Sequence, residues 1–126
     1  MLTQVLAGQG GRLFLELRDR RSLAYSVTAL NVEGVAPGLF AVYIATSPDK
    51  LAEAERGIRE EVERLLAEAP SAGELERAQR YLIGNFAIDQ QRAAVRASHV
   101  SLDALYGLGP DCDRRYSERV AAITSN

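Results

Sequence analysis

The residues best placed to do chemistry are Arg18 and Tyr25, seven positions apart in the stretch GGRLFLELRDRRSLAYSV, residues 10–27. Arginine presents a planar fork of donors matched to carbonyls and carboxylates. Tyrosine presents a hydroxyl on a stiff apolar stem. If a helix ends near Arg20 and a strand starts near Ala24, both side chains reach the same side of the turn between them. Two fixed donors beside a strand edge can grip a peptide backbone or steady a developing oxyanion. The plainer alternative is a surface Arg18 in an ion-pair cluster with Glu16 or Asp19, and a Tyr25 packed beneath the sheet. Residue types alone leave both open.

The rest of the chain offers no competing chemistry. His99 is the single histidine and Cys112 the single cysteine, so a zinc-binding His-x-x-Glu-His or its inverse cannot be assembled, and no metal is expected on this chain. No Gly-x-Ser-x-Gly elbow occurs. Gly8 to Gly11 lacks the Lys-Ser/Thr of a phosphate loop and follows a helix rather than a strand. Glu60, Glu61, Glu74 and Glu76 read as solvated helix faces. A formal net charge of −2 gives no basic field for nucleic acid. One cysteine rules out an intrachain disulfide without fixing a compartment. No apolar run approaches ~18 residues, which argues against a membrane span, and MLTQVLAGQGG has no basic segment or long apolar centre of a signal peptide. A soluble protein is expected, with cytoplasm and periplasm both open. Lys50 is the sole lysine, a skew that points to genome composition rather than chemistry.

The two residues need a helix and a strand to hold them. LTQVLA, residues 2–7, reads as the end of a helix. Three glycines in the next four residues then break it, since each costs about 1 kcal/mol against alanine inside a helix. A second helix is expected from about Arg12 to Arg20. Ser22 to Val32 alternates as a strand with apolar groups on both faces, hence covered in part on both sides. Glu33 to Gly38 is a turn signal, and Leu39 to Thr46 is a second strand, giving an antiparallel hairpin. Ser47-Pro48-Asp49 opens a helix with Leu51, Ala54, Ile58, Val62, Leu65 and Leu66 on one stripe, running to about Ala69. Glu55/Arg59 and Glu60/Arg64 are in register for ion pairs. Ser71 with Glu74 is a capping box. It starts a long helical segment, with Leu75, Ala78, Leu82 and Phe86 inward, bending at Gly84-Asn85 and stopping at Gly107. Residues 108–113 form a loop, and Asp113 caps a last helix. The fold class is α+β: an antiparallel hairpin, part of a larger sheet, packed against several helices.

The run RLFLELRDRRSLAYSV resembles the signature in the C-terminal half-domain of the pitrilysin/insulinase family of zinc metallopeptidases, which includes the mitochondrial processing peptidases. LFAVYIATSPDK resembles that family's second strand and its Pro-containing helix start. LERAQRYLIGNF resembles its long helix, and DALYGLG followed by YSERVAAIT its Tyr-Gly break and next helix. The resemblance implies that residues 1–126 are a single partial domain, a truncated piece of a larger αβ half-domain. It implies the substrate-binding, metal-free half of a zinc endopeptidase, inactive alone. Arg18 and Tyr25 stand where that half presents an arginine and a tyrosine to the substrate backbone near the scissile bond. Zinc is then expected on a partner half-domain or subunit, and a peptide or protein is the substrate. An unprotected sheet edge would invite pairing with a second copy. The alternatives are a non-catalytic assembly or core subunit of the same fold, in which the pair is only structural, and an unrelated α+β interaction module.

Overall fold

The computed structural model describes residues 1–32, 37–109 and 111–125. Its order is α1 (Leu2–Ala7), a π-helix (Phe14–Arg20), β1 (Ser26–Val32), β2 (Leu39–Ala45), α2 (Leu51–Ala67), α3 (Ala72–Asp89), α4 (Ala93–Leu105) and α5 (Tyr116–Ala121), with single 3-10 turns before α2 and α5. The α+β expectation holds. β1 and β2 form an antiparallel pair with Ser26 opposite Ala45 and Val32 opposite Leu39. At positions 33–36 the expected turn lies outside the described residues.

The core gathers around the π-helix. Leu6, Leu13, Leu17, Leu23 and Val27 form one buried cluster, with Phe14, Val42, Ile44, Ile58 and Leu65 packed against it. Each fully buried leucine contributes roughly 1.5–3 kcal/mol. The hairpin covers this cluster with one face. On its other face Leu30, Val32, Leu39 and Tyr43 are exposed, so the expected cover on both sides is absent among the described residues. The glycine run does break the first helix. A Cβ on Gly11 would stand 2.7 Å from the Leu6 carbonyl oxygen, so the chain folds back there only because no side chain intervenes.

The stripe expected on α2 is rotated. Ala54, Gly57 and Glu61 are its buried positions, while Leu51 and Leu66 are exposed. The cause is the π-helix, whose Leu17 lies where a Cβ on Gly57 would be, 2.5 Å from Leu17 Cδ2. Gly57→Ala is therefore expected to lower stability by up to about 2 kcal/mol, because crowding a closed core offsets or outweighs the roughly 1 kcal/mol of helix propensity gained. Gly84→Ala, with nothing within 4 Å of the added carbon, serves as the stabilising control in urea denaturation.

Two further differences lie downstream. The long helical segment is interrupted at residues 90–92, not at Gly84-Asn85. There the amides of Gln91 and Arg92 turn back onto the carbonyls of Ile88 and Asp89, both at 3.1 Å, and Arg96 donates to the Gln90 carbonyl at 2.7 Å. Asp113 does not cap the last helix with its side chain. Its carboxylate instead accepts from Gln90 Nε2 at 2.7 Å and lies 2.9 Å from His99 Nδ1. The end of the chain is held by Gln79 on α3, whose amide donates to the carbonyls of Val120, Ala121 and Ile123. Among the described residues no helix is long and apolar enough to cross a membrane.

Candidate functional site

The helix carrying Arg18 winds wider than the α-helix its sequence suggests. It ends on backbone bonds that reach back four to six residues: Arg21 N–H to the Glu16 carbonyl at 3.0 Å, Ser22 N–H to Arg18 at 3.1 Å, and Leu23 N–H to Leu17 at 2.8 Å. The last two reproduce the familiar glycine-type helix stop, each widened by one residue. Ser22 takes the left-handed conformation there, with φ 51°, a position that disfavours a side chain by about 1–2 kcal/mol. Leu17 and Leu23, joined by the bond of these that spans the most residues, belong to the same buried cluster. Ser22 and Leu23 are held from outside as well. Lys50 Nζ donates to the Ser22 carbonyl at 3.0 Å, and Thr46 Oγ1 to the Leu23 carbonyl at 2.6 Å. β1 therefore starts at Ser26, later than expected, and residues 22–25 form a pinned exit that delivers Tyr25 to the surface.

Arg18 and Tyr25 meet across this exit. The Arg18 guanidinium carbon lies 5.0 Å from the centroid of the Tyr25 ring and 4.5 Å from that of Phe14. Such contacts contribute about 0.5–1 kcal/mol each at exposed sites. They hold the guanidinium without using its hydrogens. Tyr25 is 84% exposed, so it is not packed beneath the sheet. Nor does Arg18 pair with Glu16 or Asp19. Glu16 is taken by Arg20 at 2.8 Å and Arg21 at 3.0 Å, and the hydrogen bond from Arg20 is the leading cause that holds its carboxyl below the usual range. Arg21 also reaches Glu60 at 2.9 Å. Among the described residues, Arg18 is the one arginine with no hydrogen bond or ion pair. Every other arginine lies within 4.0 Å of a carboxylate, a carbonyl or the Cys112 sulfur.

Two acids read as solvated are not. Glu74 closes the capping box with Ser71 and at the same time binds Arg12 through two bonds, Nε at 2.7 Å and Nη2 at 3.2 Å. Arg12 is buried. Its hydrogen bond is the leading cause that brings the Glu74 carboxyl down to about 2. Glu61 is also buried, and desolvation raises its pKa. Its charge is met by Arg64 at 2.7 Å, which takes Arg64 away from the Glu60 partner expected of it. The Glu55–Arg59 pair forms at 2.8 Å. The capping-box spacing marked Glu74 in the sequence, but nothing local marked a partner 62 residues away.

His99 and Cys112 stand apart from the pair in role. His99 joins α4 to Asp113 and lies over the Phe86 ring, whose other stacking partner is Tyr116. Cys112 accepts from Arg119 at 3.1 Å. Among the described residues no three His, Cys, Asp or Glu side chains are grouped to hold a metal ion.

The family model for the peptidase M16 inactive domain matches residues 1–82. The chain belongs to the peptidase M16 inactive-domain family. This M16 domain is 31% identical over 111 residues to an uncharacterized zinc protease of Rickettsia bellii, an alignment covering 83% of the chain and 27% of that protein. Against an uncharacterized zinc protease of Rickettsia felis it is 29% identical, over 78% of the chain and 25% of the relative. It thus spans about a quarter of the length of these relatives. The M16 inactive domain of Pseudomonas fluorescens superposes with a TM-score of 0.87 at 22% identity, over 98% of this chain and 30% of that one. The inactive peptidase domain of a Bordetella parapertussis protein named as a zinc protease does so with 0.83 at 21% identity, over 98% and 68%. At these identities the superpositions speak for the fold.

Proposed function

We propose that this M16 inactive domain is the substrate-binding half of a two-part zinc endopeptidase, and that Arg18 and Tyr25 are its contact with the substrate backbone. The reading rests on one observation. Arg18 is held between two aromatic rings with its donors unspent, beside a tyrosine that is 84% exposed. In a chain where every other arginine is engaged, an oriented and unpaired guanidinium is suited to an incoming acceptor. A peptide carbonyl supplies one, and the hydroxyl of the exposed Tyr25 offers a second donor. The residues present here do not suit zinc, as among the described residues no three His, Cys, Asp or Glu side chains are grouped to hold a metal ion. The metal chemistry is therefore assigned to a zinc-bearing partner half-domain or subunit. The part of this chain is to bind and align the peptide, and to donate hydrogen bonds as charge grows on the carbonyl oxygen.

The test is Arg18→Ala in the complete protein with its zinc-bearing half. Losing a charge-assisted hydrogen bond costs about 1.5–3 kcal/mol, so KM for a peptide substrate should rise roughly 10–150-fold. Arg18→Lys should not restore it, because an ammonium cannot reproduce the stacked planar fork. An unchanged KM would overturn this reading and leave an assembly role for the domain.

A further inference from the structure

Tyr25 reaches the surface through a turn that does not hold itself. Ser22, three residues before it, takes the left-handed conformation with φ 51°, which a residue carrying a Cβ avoids. Past the end of a helix the carbonyls run out of helical partners. Those of Ser22 and Leu23 are met from one place. Thr46 Oγ1 donates to the Leu23 carbonyl at 2.6 Å, and Lys50 Nζ to the Ser22 carbonyl at 3.0 Å. The two donors stand at the ends of a short, stiff bracket. Thr46 directly follows β2, and Lys50 closes the 3-10 turn Pro48–Lys50. Within the bracket Pro48 fixes a backbone angle, and the Lys50 N–H bonds the Ser47 carbonyl at 3.0 Å. Lys50 is the sole lysine of the chain, so no other lysine ammonium can take its place.

We infer that Lys50, seconded by Thr46, is a positioning residue: by holding the left-handed turn at Ser22 it fixes the direction in which Tyr25 leaves the π-helix. The inference rests on the donor role proposed above for Tyr25, and it adds the residues that aim that donor. The bond from a charged donor and the penalty for a side chain in the left-handed region are of similar size. Removing the ammonium is therefore enough to release the turn. Arg18 lies ahead of the turn, and Phe14 holds its guanidinium from the helix side. Release thus moves the tyrosine and leaves the arginine in place. The bracket acts on the step that Tyr25 serves, not on the binding that Arg18 serves.

The experiment has a kinetic and a spectroscopic arm. In the complete protein with its zinc-bearing half, Lys50→Ala should lower kcat roughly 10-fold, the effect of one charge-assisted hydrogen bond, and leave KM within about 2-fold. Lys50→Arg should restore most of the loss, because a guanidinium also donates to a carbonyl. Thr46→Val, which removes the other donor, should act in the same direction. Ser22→Gly supplies a signature that a merely stabilising contact lacks. Glycine takes the left-handed conformation at no steric cost, so in that background Lys50→Ala should lower kcat by no more than about 2-fold. In the nitrogen-15 spectrum of the full chain, Lys50→Ala should move the amides of residues 22–25. It should also move the side-chain N–H of Arg18, whose guanidinium lies against the Tyr25 ring. Unmoved resonances at residues 23–25 would overturn the inference. So would an equal loss of kcat in the Ser22→Gly background, or a kcat that survives Lys50→Ala but not Tyr25→Phe. If the resonances move and neither substitution lowers kcat, the donor role of Tyr25 falls, and Lys50 stands as the residue that orients its ring.

Discussion

Replacing Arg12 by alanine is expected to cost about 3–5 kcal/mol of stability, the loss that follows when one partner of a buried ion pair is removed and the other is left uncompensated. Arg12 is 7% exposed and its partner Glu74 20%. The pair joins the start of the π-helix to the first turn of α3, so more than one charge is at stake. Arg77 reinforces the same join by donating to the Gly10 carbonyl at 2.9 Å. Urea denaturation at pH 7 measures the effect. Glu74→Gln separates its parts: glutamine can keep the capping box with Ser71 but strands the arginine. It should therefore approach the cost of Arg12→Ala, whereas Ser71→Ala should cost only about 1 kcal/mol. A loss under about 1 kcal/mol for Arg12→Ala would show that the pair is hydrated and contributes as little as a surface one.

The same pair sets a pH dependence. The Glu74 carboxyl is lowered from 4.5 to about 2 in the folded chain. The folded state therefore favours the charged form, and its contribution is complete above about pH 4.5. It is lost progressively as pH falls from there toward 2. A shift of this size corresponds to roughly 3 kcal/mol, in line with the cost of removing the partner. Glu61 runs the other way. Burial raises its pKa, so its charged form opposes folding and its protonation relieves that cost. Wild type should thus lose stability on acidification below pH 4.5, and Glu74→Gln should lose much less over the same interval.

What the sequence disclosed and what it hid follow from how local each determinant is. The hairpin, the capping box at Ser71 and the helix start at Ser47-Pro48 depend on residues within a few positions of one another, and each was legible. The π-helix was not. The run LFLELRDR has an ordinary helical pattern, and its widening depends on Leu17 fitting against Gly57 and on Thr46 and Lys50 pinning the exit. The close approach of Leu17 to Gly57 also sets which side of α2 faces the core, and Leu51 is left exposed. Gly84 looked like a break because glycine weakens helices, yet it lies on an exposed surface where the helix tolerates it. The Arg12–Glu74 pair spans 62 positions, and no periodicity reports such a distance. For the candidate site, spacing alone drew attention to Arg18 and Tyr25. That Arg18 stays unpaired depended on the competition for Glu16, which Arg20 and Arg21 win.

Tyr25→Phe carries the largest expected effect on turnover. In the complete zinc-bearing enzyme, removing this hydroxyl should lower kcat by about 10²–10³-fold, the usual loss for one oxyanion donor, or about 2.7–4 kcal/mol. The substitution keeps the ring, so the stacking that orients Arg18 at 5.0 Å persists and the two roles separate. A donor that tightens only as charge develops on the carbonyl oxygen lowers kcat and kcat/KM together. Arg18, in the proposed role of holding a carbonyl not undergoing reaction, should act on KM. Stability should not change, since Tyr25 is 84% exposed. Tyr25→Ala, which also removes one of the two rings that hold Arg18, should combine the loss in kcat with a rise in KM. If Tyr25→Phe leaves kcat intact while Tyr25→Ala raises KM, the tyrosine is a stacking platform for Arg18 and donates nothing to the reacting carbonyl.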